Sequence, residues 1–326
     1  MSGSLLLLFL ALLLDRFVGD PDGLWRRVPH PVVLFGRAIG LTDRLFNGKR
    51  LSAETKRFNG AAGIAVLLAA SALSGLVLHR LLAPLGIVGD LVEIVVVAVL
   101  LAQKSLYDHV RAVSVGLRRG GLAGGRQAVS MIVGRDPATL DEPAICRAGI
   151  ESLAENFSDG VVAPALWYAL LGLPGLFAYK MLNTADSMIG HKNTKYLDFG
   201  RASARLDDLA NWPAARLSIV FLAAGAWAVK GRAAARLAIG TALRDAGLHR
   251  SPNSGWPEAA MAGALGIGLA GPRIYGGTRV DEPMMNASGR IVAAVADIDL
   301  SLRIFSAACA ALAAAVLSAA LLLALL

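Results

Sequence analysis

Residues 304–326, IFSAACAALAAAVLSAALLLALL, run for 23 positions without one charged side chain. At ~1.5 Å per residue such a helix spans a hydrocarbon core of ~30 Å, and few folds in water could bury it. A second charge-free run, AAGIAVLLAASALSGLVL, covers 18 residues from 61 to 78. A third, 85–103, is equally apolar apart from Asp90 and Glu93, which its start places at the interface. Composition agrees: 56% of the 326 residues are hydrophobic and 17% charged, against roughly 25% charged in a soluble domain. Disorder is excluded on the same ground. Two cysteines, Cys146 and Cys309, cannot form a disulfide framework.

These features predict an all-α protein, a polytopic integral membrane helical bundle with cytosol-facing polar helices and loops. We expect one membrane-embedded domain, 1–326, with firm spans at 61–82, 85–103 and 304–326. Spans or re-entrant helices are expected at 4–14, 161–179, 214–229 and 259–272. The run 161–179 breaks at Gly172-Leu173-Pro174-Gly175 and fits a helical hairpin as well as one straight span. No basic residue precedes the 4–14 run, which therefore reads as a retained helix rather than a leader. Net charge is +8, and nine Lys/Arg fall in 15–60 and seven in 104–160. With this hydropathy the excess points to basic cytoplasmic loops and not to nucleic acid. The expected location is the cell inner (plasma) membrane, with the polar segments facing the cytoplasm.

The polar residues collect beside the apolar runs. Glu151, Glu155 and Asp159 repeat at four-residue spacing, which on a helix is one face, and no basic residue occurs from 148 to 179. Carboxylates so placed repel unless a cation sits among them, and oxygen ligands suit Mg²⁺ with phosphate substrates. Asn156 lies in the same stretch. A second stretch carries Lys180, Asn183, Asp186 and Lys192, a carboxylate and an amide three apart with lysines on either side. A third carries Arg205 and the adjacent acids Asp207 and Asp208, which point different ways on a helix. A fourth runs from Asp245 through His249, Asn253 and Pro257 to Glu258, a loop opening a helix whose N–H groups suit phosphate. Asp20 and His30 stand in polar motifs near the N-terminus. Walker A, Rossmann, zinc-spacing and GxSxG patterns are absent.

Six stretches in order, LDRFVGDP, PHPV, ENFSDGVVAP, YKMLNTADSMIGHK, FGRASARLDDLANWPAARL and SPNSGWPEAAMAGALG, extend from residue 14 to about 266. Together they resemble the CobD/CbiB family of cobalamin-biosynthesis proteins, the adenosylcobinamide-phosphate synthases. The resemblance implies a membrane carbon–nitrogen ligase using ATP and Mg²⁺. Its corrinoid substrate, adenosylcobyric acid, would be joined through a propionate carboxyl to aminopropanol or aminopropanol phosphate. Lipid and other membrane-associated enzymes of the pathway would be its surroundings. Chemical need then assigns roles: Glu155, Asp186 and His249 to catalysis, and Glu155, Asp159, Asp186 and Asp208 to the metal. Lys180, Lys192 and Arg205 would hold phosphate, and Asn156, Asn183, Asn253, Glu258, Asp20 and His30 would contact substrate. Two rival readings are a CDP-alcohol phosphotransferase, from the likeness of Asp198–Arg205 to its acidic motif, and a non-enzymatic permease or assembly partner.

Overall fold

A computed structural model describes residues 2–19, 22–25, 29–133, 137–271, 273–275 and 278–326. The described residues are mostly helical: α1 (Ser2–Phe17), α2 (Asp22–Trp25), α3 (Pro31–Phe46), α4 (Ala53–Leu82), α5 (Ile87–Leu100), α6 (Gln103–Val129), α7 (Glu142–Phe157), α8 (Ala163–Ile189), α9 (Arg201–Lys230), α10 (Arg232–Asp245), α11 (Gly255–Leu265) and α12 (Val295–Leu325). Two short antiparallel pairs, Leu269–Ala270 with Met284–Met285 and Arg273–Tyr275 with Thr278–Val280, lie between α11 and α12. Among the described residues four stretches are long and apolar enough to cross a membrane: Ala53–Leu85, Glu142–Ile189, Arg201–Lys230 and Val295–Leu325. The chain is a polytopic helical membrane protein.

Its residues group into two units. The first comprises Met1–Ala102, Ala163–Asn211 and Val316–Leu326. Here α3, α4 and α8 pack together through Ile39, Ile64, Met181, Leu182, Ile189 and Phe199. In lipid such contacts hold by close packing and not by escape from water. α1 lies against α5 and α8. The run expected to span from 85 to 103 folds as a helix of 14 residues, α5, short for a ~30 Å core. Glu93 on α5 departs from the interfacial reading: it is 5% exposed, accepts a 2.6 Å hydrogen bond from the Tyr168 hydroxyl, and lies 3.1 Å from His79 Nδ1.

α8 is two arms. Gly172 has φ +64° and ψ −152°, a conformation essentially reserved for glycine. A Cβ on Gly175 would come within 2.5 Å of the Trp167 carbonyl oxygen eight residues earlier. In a straight helix eight residues span ~12 Å. The chain therefore doubles back, and of the two readings of 161–179 the hairpin is the one observed.

The second unit comprises Gln103–Val162 and Trp212–Ala315. α6 folds back at Gly121 by the same device, and α7 packs on α6 and α11. α11 is buried along almost its whole length, as an 11-residue apolar helix too short to span should be. Phe157 and Phe305 meet edge to face at 5.6 Å. After α7 the helix widens into a π-helical turn, Ser158–Val162, carrying Asp159. Such turns are frequent at functional sites.

Candidate active site

In the first unit the second arm of α8 and the opening turns of α9 face one another with polar side chains. The Tyr179 hydroxyl donates to Asn211 Oδ1 at 2.8 Å, and Asn211 Nδ2 donates to Asp207 Oδ2 at 2.9 Å, both bonds buried. Asn183 lies against the same carboxylate, with Asp186 close enough to repel it. Asp207 is 7% exposed, and its Oδ1 has no hydrogen-bond partner among the described residues. An acid left in this state inside a membrane protein marks function more often than structure. Asp208, one position on, is half-buried with Lys192 as its charged neighbour. Four residues named from the sequence, Asn183, Asp186, Asp208 and Lys192, thus lie on these two helices or just beyond them. The structure adds Tyr179, Asp207 and Asn211. Lys180 follows Tyr179 on α8 and is half-buried, and Arg205 is exposed on α9.

The second unit holds another polar group. Of the acidic face on α7, Glu151 accepts from the Ala270 N–H and Glu155 from the Ser254 hydroxyl, each at 2.8 Å. Protein donors answer two of the charges for which a cation was expected. Asn253 is buried, and its Oδ1 accepts from Arg216 Nη1 at 2.9 Å. Arg216 itself is clasped between the Trp212 and Trp256 rings, 4.5 and 4.6 Å from their centroids. His249 Nδ1 accepts from the Ser251 N–H at 3.0 Å, and its Nε2 lies 3.8 Å from Glu258. This arrangement leaves His249 poorly placed to receive a substrate proton. Asn156 is exposed, bonded back to Ser152. Arg216 escaped the sequence reading although Trp212 stands four residues before it, the spacing of a stacked pair on a helix.

One expected residue stands elsewhere. His30 caps α3, accepting from the Val32 N–H at 3.2 Å with its ring edge-on to Trp25. Asp20 lies outside the described residues. Glu155 and Asp159 belong to one unit and Asp186 and Asp208 to the other. Among the described residues no three His, Cys, Asp or Glu side chains gather as a metal cluster. A cation held by two carboxylates and a substrate's phosphates needs no such cluster.

A helical membrane protein with a buried acid-and-amide cluster is the class these features define. The chain matches the CobD/Cbib protein family over residues 8–305 and belongs to it. It is 66% identical to the cobalamin biosynthesis protein CobD of a Sinorhizobium species, covering 97% of this chain and 98% of that one. The proteins of the same name from Brucella suis biovar 1 and Rhodobacter capsulatus are 56% and 45% identical, over 94% and 86% of this chain and 93% and 87% of theirs. No solved structure matches it.

Proposed function

We propose that this chain is the amide ligase of late cobalamin biosynthesis, joining adenosylcobyric acid to aminopropanol or its phosphate at the expense of ATP. Family membership supports a biosynthetic role in the cobalamin pathway. The observation that carries the site is Asp207: a buried carboxylate with an unsatisfied oxygen, facing Asp186 and flanked by the amides of Asn183 and Asn211.

The reaction needs three things. A carboxylate is a poor electrophile, so ATP must convert it to a mixed anhydride; the amine must be neutral when it attacks; the leaving phosphate charge must be offset. The donor set fits a hard divalent ion, because two oxygen-bearing acids face each other and one oxygen lacks a partner. Asp186 and Asp207 would hold Mg²⁺, which when bound with ATP supplies charge neutralisation at the phosphates. Asn183 and Asn211 fix the Asp207 carboxylate. Lys180 and Lys192 attract the phosphates of ATP and of a phosphorylated amine. Asp208, half-buried and therefore in exchange with solvent, takes the ammonium proton. Amide, ADP (or AMP) and the matching phosphate leave. The plasma membrane, with this cluster on its cytoplasmic side where ATP is available, is the location this reading requires.

The test is a purified full chain in lipid nanodiscs with adenosylcobyric acid, aminopropanol phosphate, ATP and Mg²⁺, read by mass spectrometry for the amide. Asp207→Asn and Asp186→Asn should each lower turnover by about 10²–10⁴-fold while the protein stays inserted. Formation of the amide at an undiminished rate by both variants would remove the cluster from the chemistry. Release of CMP from a CDP-alcohol, with no amide formed, would replace the ligase by a phosphotransferase.

A further inference from the structure

A second charged feature of the first unit lies apart from these acids. The end of α3, the loop 47–52, the first turn of α4 and the segment 193–198 surround a cleft of about 530 Å³. Its walls carry Arg44, Lys49, Lys56 and Lys195 against a single acid, Asp43. That acid is already engaged: Lys195 Nζ donates to Asp43 Oδ2 at 2.7 Å and Asn47 Nδ2 to its Oδ1 at 2.8 Å. Arg44, Lys49 and Lys56 form no ion pair or side-chain hydrogen bond among the described residues. Three positive charges therefore face one hollow uncompensated.

The hollow is built. Asn47 also donates to the Lys195 carbonyl at 3.2 Å, Asn59 to the Phe46 carbonyl at 2.9 Å, and Arg57 to Asp198 at 2.7 Å. These bonds tie the three chain segments together and set the backbone positions from which the cations project. Arg44, Lys49 and Lys56 around one cleft without a counter-ion repel one another, which an anion would relieve.

Position and surroundings select the anion. Arg57 is the last charged residue before the charge-free stretch of α4, so the cleft stands at the polar end of a membrane-long helix. Beside it Leu45, Phe46 and Phe58 are exposed by 65%, 48% and 73%. Cations with neighbouring bare apolar side chains match an amphiphile, a phosphate carrying hydrocarbon, better than a soluble polyphosphate. We infer that this cleft binds the phosphodiester headgroup of an anionic phospholipid, with the acyl chains lying along Leu45, Phe46 and Phe58.

The experiment uses the full chain reconstituted in nanodiscs of mixed phosphatidylglycerol and phosphatidylcholine, released for native mass spectrometry. The wild type should retain phosphatidylglycerol over phosphatidylcholine. The triple variant Arg44→Gln, Lys49→Gln, Lys56→Gln should lose at least ~10-fold of that preference, since each near-surface cation contributes about fivefold. A charge-matched control, Arg119→Gln, Arg232→Gln, Arg236→Gln, should keep it. A photo-crosslinking phosphatidylglycerol should label residues 43–59 of the wild type, a readout that needs no variant to fold. Equal loss in the control would reduce the effect to general charge and overturn the proposal. So would crosslinks elsewhere, or displacement of the lipid by millimolar inorganic phosphate or ATP, which would assign the cleft to a soluble anion.

Discussion

Glu93 sits on α5 among residues that are otherwise almost all apolar, and it persists there because Tyr168 and His79 reach it. A buried carboxylate oxygen that loses its donor bears a desolvation cost that His79, at the other oxygen, does not offset. Tyr168→Phe should therefore lower stability by ~1–3 kcal/mol, seen as a reduced thermal midpoint in detergent, whereas a bond of no consequence would leave the midpoint unmoved. The same scale explains what the sequence hid. Asp207 and Asp208 are neighbours about 100° apart on a helix, and composition cannot say which turns inward. The structure turns Asp207 inward to Asn211 and leaves Asp208 beside Lys192. Asp186 and Asn183 were legible because amide and carboxylate stand three apart on one face. Of the contacts of Arg216 only the stacking on Trp212 is local; Asn253 and Trp256 are some forty residues away and only folding brings them near.

The elements with long charge-free runs, α4 and α12, could be read directly, since hydropathy over about 20 residues reports lipid without tertiary help. Shorter apolar runs carry no such guarantee: α5 and α11 are both short, and α11 is buried by protein neighbours. The hairpin in α8 was legible only as an alternative, because Gly and Pro announce a break but not its angle. Gly172→Ala should test the turn, forcing a side chain into a backbone region it avoids, with an expected loss of roughly 1–3 kcal/mol. Gly240, on α10 with ordinary helical backbone and open space around it, is the contrast: Gly240→Ala should be neutral or gain up to ~1 kcal/mol. Parallel melting curves of the two variants decide the matter, and equal behaviour would deny the turn its special geometry.

For the whole molecule, acid is the informative perturbant. Asp245 is held below the ordinary carboxylate range by two bonds from Arg244, and by the Asn286 N–H, against the opposing effect of burial. Asp43 is also lowered overall: burial pushes it up, but the bonds from Lys195 and Asn47 outweigh that. A carboxyl whose folded value is depressed adds stability that is complete above its unfolded value, near 4, and vanishes as pH falls through the folded one. The stability difference between wild type and Asp245→Asn should thus be flat above about pH 5 and shrink below about pH 4. A difference that grew with acid would reverse the assignment. The reversal at Gly172 has a practical corollary for anyone mapping how the polypeptide threads its bilayer. A single residue makes the bend, so there is no connecting tail into which a reporter fusion, epitope or protease site fits without prying the paired arms apart. Insertions there would report on a broken bend rather than on the native path of the chain.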